Sequence, residues 1–178
     1  MAGYIQPVTL EFKKGGKISF YIHIPFCKNL CNFCKDSQCL VPNDVIKRNY
    51  LQIIHRDIRK FLLEYPNITL ERFDISGETS SDLSPSNFAY LMRIYREIVH
   101  RVNVADDFEA SIEMSIKTIT PNKIKMVNEE GIKRNPVGIK SQYFSYQQSC
   151  IGWKYPEANE IVSKINMIRN ANKALVYT

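Results

Sequence analysis

Short apolar runs and amphipathic helical stretches alternate along this chain, and that alternation constrains its fold more than any other feature. Ile18 to Ile24 (ISFYIHI), closed by Pro25, has the length and composition of a strand buried on both faces. From Asn43, an N-cap followed by Asp44, the apolar positions Val45, Ile46, Tyr50, Ile53, Ile54, Ile58, Phe61 and Leu62 recur at helical spacing as far as Tyr65-Pro66. Ile68 to Ile75 predicts a second strand running into Ser76-Gly77, and Ser84-Pro85 opens a second helix by cap and first-turn proline, carrying Phe88, Leu91, Met92, Tyr95 and Ile98. Phe108, Ala110, Ile112, Met114 and Ile116 then alternate with polar residues as a third strand. Thr120-Pro121 starts a helix that Gly131 can end.

Ile132 to Ile139 makes a poor fourth strand, because Pro136 removes one ladder donor. A helix from about Pro156 to Asn170 and an apolar run from Ala174 to Tyr177 follow. Four strand–helix alternations with a fifth strand begun predict an α/β fold, a partial (β/α) barrel built on a parallel sheet. A complete (β/α)₈ barrel takes about 250 residues. The 178 residues here therefore supply about half of one, as a single incomplete core domain behind an N-terminal extension over 1–17. The C-terminal half of the barrel is expected to be absent, and a partner chain completing it is one expectation.

Three cysteines sit at the exit of the first strand. The spacing Cys27-x3-Cys31-x2-Cys34 places three thiolates on one loop at the carboxyl end of a parallel sheet, where α/β barrels gather their active sites. Three such ligands can hold three irons of a four-iron cluster and leave the fourth open to a small chelating molecule. A structural zinc site using Cys39 as fourth ligand is the alternative; the tight single loop favours the iron-sulfur reading. Nothing in Met1 to Lys14 resembles a signal peptide, so a cytoplasmic location is expected and the cysteine cluster favours metal over disulfides. Cys150 stands apart as a small buried hydrophobe.

Charged residues interrupt every apolar stretch, so no membrane span is expected. The net charge of +6 is spread along the chain without a basic–aromatic module, which argues against a nucleic-acid partner and suits an acidic small molecule. His55 and His100 lie on amphipathic helices as surface positions, and His23 on the first strand is expected to be a satisfied core residue.

The stretch Tyr21-Ile22-His23-Ile24-Pro25-Phe26-Cys27-Lys28-Asn29-Leu30-Cys31-Asn32-Phe33-Cys34 resembles the signature of the oxygen-independent coproporphyrinogen III oxidase group of radical S-adenosylmethionine proteins, with its haem-chaperone and methyltransferase-like relatives. Ser76-Gly77-Glu78-Thr79 stands where that family has a GGGT turn, followed by Leu83-Ser84-Pro85. Ser111-Ile112-Glu113 matches the third-strand carboxylate, and Gly138-Ile139-Lys140-Ser141 stands at the family's GVQS.

The resemblance implies a [4Fe-4S] cluster on Cys27, Cys31 and Cys34 whose open iron binds S-adenosyl-L-methionine. One electron, from a donor such as flavodoxin or ferredoxin, then cleaves that cofactor to a radical that abstracts hydrogen from a tetrapyrrole substrate in haem biosynthesis. It also implies that Tyr21 and Phe33 flank the cofactor, that the Gly77–Glu78–Thr79 turn passes close to its methionine moiety, and that Glu113 accepts hydrogen bonds from its ribose. This sequence departs from the family pattern at Ser76, Glu78, Pro136 and Lys140, and around Ile151-Gly152-Trp153-Lys154 it lacks the family's arginine. Glu78 could stand in for the glutamate of the GGE turn of other radical S-adenosylmethionine families. A haem-handling or methyl-transferring protein, or a catalytically inactive metal-binding fragment, are the alternatives.

Overall fold

A computed structural model describes residues 15–27, 43–138 and 156–172. Strands β1 (Lys17–Ile24), β2 (Thr69–Gly77) and β3 (Asn103–Ile112) form a parallel sheet in the order β1-β2-β3. The crossovers are α1 (Asp44–Glu64) and α2 (Pro85–Val99). Beyond Glu113 the third strand resumes as β4 (Met114–Ser115), then α3 (Pro121–Glu129) leads to β5 (Val137–Gly138), which pairs parallel to β4. A parallel bridge from Ser111 to Arg134 and the bond from Ile112 N to Arg134 O (3.0 Å) carry that pairing back to β3, so the two short ladders continue one sheet. Helix α4 (Ala158–Asn172) packs on α3.

The local signals act as expected. The Asn43 side chain accepts from Val45 N at 2.8 Å, Thr120 caps α3 by accepting from Lys123 N, and prolines occupy the first turns of α2 and α3. Gly131, at φ +71°, turns the chain out of α3. Ser84 occupies the cap position of α2 without a capping bond; its hydroxyl lies 3.4 Å from that of Ser86. The fourth strand is only two residues long. Pro136 keeps its carbonyl in the ladder as acceptor from Met114 N (3.0 Å), while its nitrogen can donate nothing.

One face of the sheet is apolar and covered. Ile22, Ile24, Leu70, Phe73, Ile75, Ala110 and Ile112 pack against Leu51 and Leu62 of α1 and Phe88, Leu91, Met92, Tyr95 and Ile98 of α2 in one continuous core. The other face is polar, and this corrects the expectation of a first strand buried on both sides. Ser19, Tyr21 and His23 are exposed, Tyr21 by 58%. Register sets Ser19 beside Arg72 and Glu109, and Tyr21 beside Asp74 and Ser111; His23 lies beside Ser76. These rows bond across the strands, Arg134 and Arg72 to Glu109 (2.9 and 3.6 Å) and Ser111 to Asp74 (2.5 Å).

Three further expectations are corrected. His23 is exposed, its ring 3.4 Å from the Tyr21 hydroxyl. His55 is buried between α1 and α2. Val45, Ile46 and Ile53 face outward because α1 turns Lys47, Leu51, His55 and Leu62 toward the core, and the Lys47 ammonium lies over the ring of Phe26, 5.7 Å from its centre. Among the described residues no helix is long and apolar enough to cross a membrane. The 174–177 run lies outside the described residues.

Candidate functional site

Parallel pairing sets Ile24, the last residue of β1, beside Gly77, the last of β2. Gly77 has φ +120°, and a Cβ there would sit 2.7 Å from the Ile24 oxygen and 2.8 Å from both Ile24 N and His23 Nδ1. Only glycine lets the two strand ends approach this closely. Glu78 N then donates to the Ile24 oxygen at 2.9 Å, which fixes the backbone of Glu78 at the root of the cysteine loop. The Cys27 thiol donates to Glu78 Oε2 at 3.1 Å.

The remaining parts of the turn are tied to the third strand. Ser76 Oγ donates to the Glu113 carboxylate and Ser80 Oγ to the Glu113 carbonyl, while Glu113 N donates to Ile75 O at 2.8 Å. Thr79 precedes a 3₁₀ turn over Ser80–Asp82 and accepts from Asp82 N at 3.0 Å. The turn is held from below by Ser81, whose carbonyl accepts from buried Lys123 at 2.5 Å and whose hydroxyl accepts from Ser115 N at 2.8 Å. Asp82 pairs with Lys47 of α1 at 3.6 Å, both side chains nearly buried. Tyr50 braces β1, donating to the His23 carbonyl at 2.7 Å with its ring edge on Phe26 (5.2 Å). Burial, with Tyr21 adding to it, holds the Tyr50 phenol above its ordinary pKa, so it stays a donor.

Of the residues expected from sequence, the structure brings Cys27, Gly77, Glu78, Thr79 and Glu113 to the carboxyl ends of three adjacent strands, with Tyr21 one row below on the open face. Cys31, Phe33, Cys34 and Cys39 lie outside the described residues, as do Lys140 and the 151–154 segment. Among the described residues no set of three metal-ligating side chains forms. The Glu78 carboxylate meets the Cys27 thiol. Ser76 counts as a departure in sequence, yet it supplies the hydroxyl that orients Glu113. Tyr50 and the Lys47–Asp82 pair carry no sequence signal beyond helix periodicity.

A parallel α/β sheet with Cys27 and the Gly77 turn meeting at its carboxyl edge is similar in fold to the radical S-adenosylmethionine proteins. The chain superposes on HemN of Escherichia coli, a coproporphyrinogen III oxidase described as a radical SAM enzyme, with a TM-score of 0.77 at 21% identity, over 91% of this chain and 36% of that one.

In sequence the chain is similar to the oxygen-independent coproporphyrinogen III oxidase of Cereibacter sphaeroides, 31% identical over 146 residues, covering 80% of this chain and 31% of the relative. It is similar as well to the haem chaperone HemW of Haemophilus influenzae, 29% identical over 128 residues, covering 70% of this chain and 33% of the relative. The chain thus spans about a third of the length of the curated relatives it matches. It matches no protein-family model.

Proposed function

We propose that this chain is the cofactor-binding portion of a radical S-adenosylmethionine oxidoreductase of the coproporphyrinogen III oxidase type. The observation that carries the reading is the meeting of the Cys27 thiol with the Glu78 turn above Gly77, at the carboxyl edge of the sheet. A half-exposed thiol at that edge is a donor of the right chemistry for an iron-sulfur cluster, and the cradle beside it is closed to any side chain at Gly77.

In this reading Cys27, Cys31 and Cys34 hold the [4Fe-4S] cluster, and the backbone of Gly77, Glu78 and Thr79 lines the methionine end of S-adenosyl-L-methionine. Tyr21 and Phe33 wall the cofactor. Glu113, oriented by Ser76 and by its own backbone bond to Ile75, presents its carboxylate to ribose hydroxyls. When bound, the cluster and cofactor supply one-electron chemistry able to remove a hydrogen atom from an unactivated carbon. The protein's own part is positional: strand ends locked by the glycine contact, a carboxylate held in one orientation, and a phenol at Tyr50 fixed beneath the loop. The substrate is a tetrapyrrole carrying carboxylates, the electron comes from flavodoxin or ferredoxin, and the setting is cytoplasmic. The rest of the barrel is supplied by further sequence or by a partner chain.

The match to haem chaperones at nearly the same identity favours a second reading, in which the same loop serves a haem-handling protein. The test of the shared part is anaerobic reconstitution with iron and sulfide, followed by electron paramagnetic resonance of the dithionite-reduced protein with and without S-adenosylmethionine. A cluster signal that changes on adding the cofactor is the expected result. A colourless, zinc-loaded protein would instead establish an inactive metal-binding fragment. Hydrogen abstraction from coproporphyrinogen, against haem retention without turnover, separates the two readings.

A further inference from the structure

On the outer side of the helices, away from the cysteine edge, α1 and α2 leave a groove between them. Arg56, Arg59 and Lys60 of α1 line one wall, Tyr90 and Arg93 of α2 the other, and buried His55 lies at its floor. We propose that this groove binds a small phosphate-bearing anion, a phosphomonoester or pyrophosphate group carried by a small molecule.

The argument begins with the helical repeat. Arg48, Gln52, Arg56, Arg59 and Lys60 fall on one stripe of α1, while Tyr90, Arg93 and Glu97 fall on the facing stripe of α2. A helix–helix seam is ordinarily filled by apolar side chains, but here it holds an imidazole. His55 is 4% exposed, with Nδ1 3.0 Å from the Tyr90 hydroxyl and Nε2 2.8 Å from Glu97 Oε2. Both ring nitrogens are occupied, so the floor is a fixed polar surface.

The charge around that floor is unbalanced. Glu97, the carboxylate beneath the groove's histidine, already serves His55, Arg59 (3.1 Å) and Arg101 (3.3 Å). Arg56 pairs with its own neighbour Asp57 at 2.9 Å. Lys60 and Arg93 have no carboxylate within ion-pair distance among the described residues. Arg93 and Arg48 instead stack on the Tyr90 ring, at 5.1 and 4.5 Å from its centre. Stacking fixes the plane of a guanidinium while leaving its in-plane N–H donors for a ligand. Like charges gathered in a concavity repel one another and raise the local concentration of anions.

The ligand class follows from count and size. A monocarboxylate would neutralise one of these cations, whereas a phosphomonoester or pyrophosphate offers several anionic oxygens to donors arriving from two helices. The groove is open to solvent and has a volume of about 360 Å³, in the small-molecule range. Leu63, 74% exposed at its end, offers an apolar wall to the rest of such a molecule. A single-stranded nucleic acid would need the Tyr90 face for base stacking, and the two guanidinia already hold it. His55 lies roughly 16 Å along α1 from the cysteine edge by the helical rise, so this site stands independently of any cluster.

The test is calorimetric titration of the full chain with pyrophosphate at constant ionic strength set by sodium chloride. The expected result is saturable one-to-one binding that weakens tenfold or more in R93Q/K60Q and is unchanged in K125Q, which removes an exposed cation from α3. As a second readout on the unaltered protein, pyrophosphate should slow acylation of Lys60, followed by mass spectrometry, and leave Lys125 unaffected. Absence of saturable binding, equal affinity in R93Q/K60Q, or Lys60 labelling indifferent to pyrophosphate would overturn the proposal. So would an oligonucleotide that binds this groove while pyrophosphate does not.

Discussion

Gly77 and Ile24 are in contact so close that a single added carbon has no place: a Cβ on Gly77 would approach the Ile24 carbonyl oxygen to 2.7 Å and the Ile24 nitrogen to 2.8 Å. These are backbone atoms of a paired strand and cannot turn aside as a side chain would. G77A therefore combines a left-handed φ with a steric clash and should destabilise the protein by more than about 1 kcal/mol. It should also pull Glu78 away from Cys27. Denaturant unfolding measures the first effect; metal content after anaerobic reconstitution, falling in parallel, measures the second.

Cys27 leaves β1 with its thiol on the Glu78 carboxylate, at the spot where the proposed cluster is anchored. C27A should abolish retention of iron and sulfide after desalting, because two remaining thiolates hold an iron-sulfur cluster poorly. Its unfolding midpoint should change little, since the residue is half-exposed. Iron retained at the level of the unaltered protein would remove Cys27 from the ligand set.

Lys47 and Asp82 join the start of α1 to the turn behind the site, with side-chain exposures of 7% and 9%. Removing one partner leaves the other charge buried, so D82A should lose about 3 kcal/mol of stability. The double replacement K47M/D82L, which buries no charge, should recover most of that loss. Unfolding curves of the three proteins make the comparison.

Tyr95 is 3% exposed and edge-on to Phe73 at 4.9 Å, and burial, with the Glu130 charge adding to it, pushes its phenol up to about 12. The folded state thus holds this proton more tightly than the unfolded chain. Its contribution to stability is complete below the ordinary tyrosine value near ~10 and is lost as pH rises through about 12. Thermal midpoints should fall across that alkaline interval, and Y95F should flatten the fall. An identical slope in Y95F would place the alkaline transition elsewhere.

Much of this was legible in the residues. Asn43, Pro85 and Pro121 announced helix starts through local chemistry that tertiary structure left intact, and Phe73, Ile75, Ile112 and Met114 announced the buried face. Other features depended on neighbours distant in sequence. The run Ile18 to Ile24 reads as mostly apolar and aromatic, and only parallel pairing with Arg72, Asp74 and Ser76 reveals that Ser19, Tyr21 and His23 belong to a polar face. His55 sits on a helix that looks amphipathic, and its burial becomes visible only once Tyr90 and Glu97 arrive from α2. Gly77 was legible as a close-approach glycine, and the structure shows β1 as a close neighbour of it. The Glu78–Cys27 contact had no sequence signal, because residue spacing says nothing about which carboxylate faces which thiol.

That contact spans 51 positions of chain. At synthesis rates of about 5–20 residues per second, roughly 3 to 10 seconds separate the emergence of the thiol from that of the carboxylate. β1 cannot pair in that interval, since its partner in the sheet has yet to be made. Cys27 therefore spends its first seconds without the carboxylate that it meets in the folded chain. The turn and carboxylate that meet Cys27 arrive only with β2, so this contact belongs to the paired sheet and to no earlier stage of synthesis.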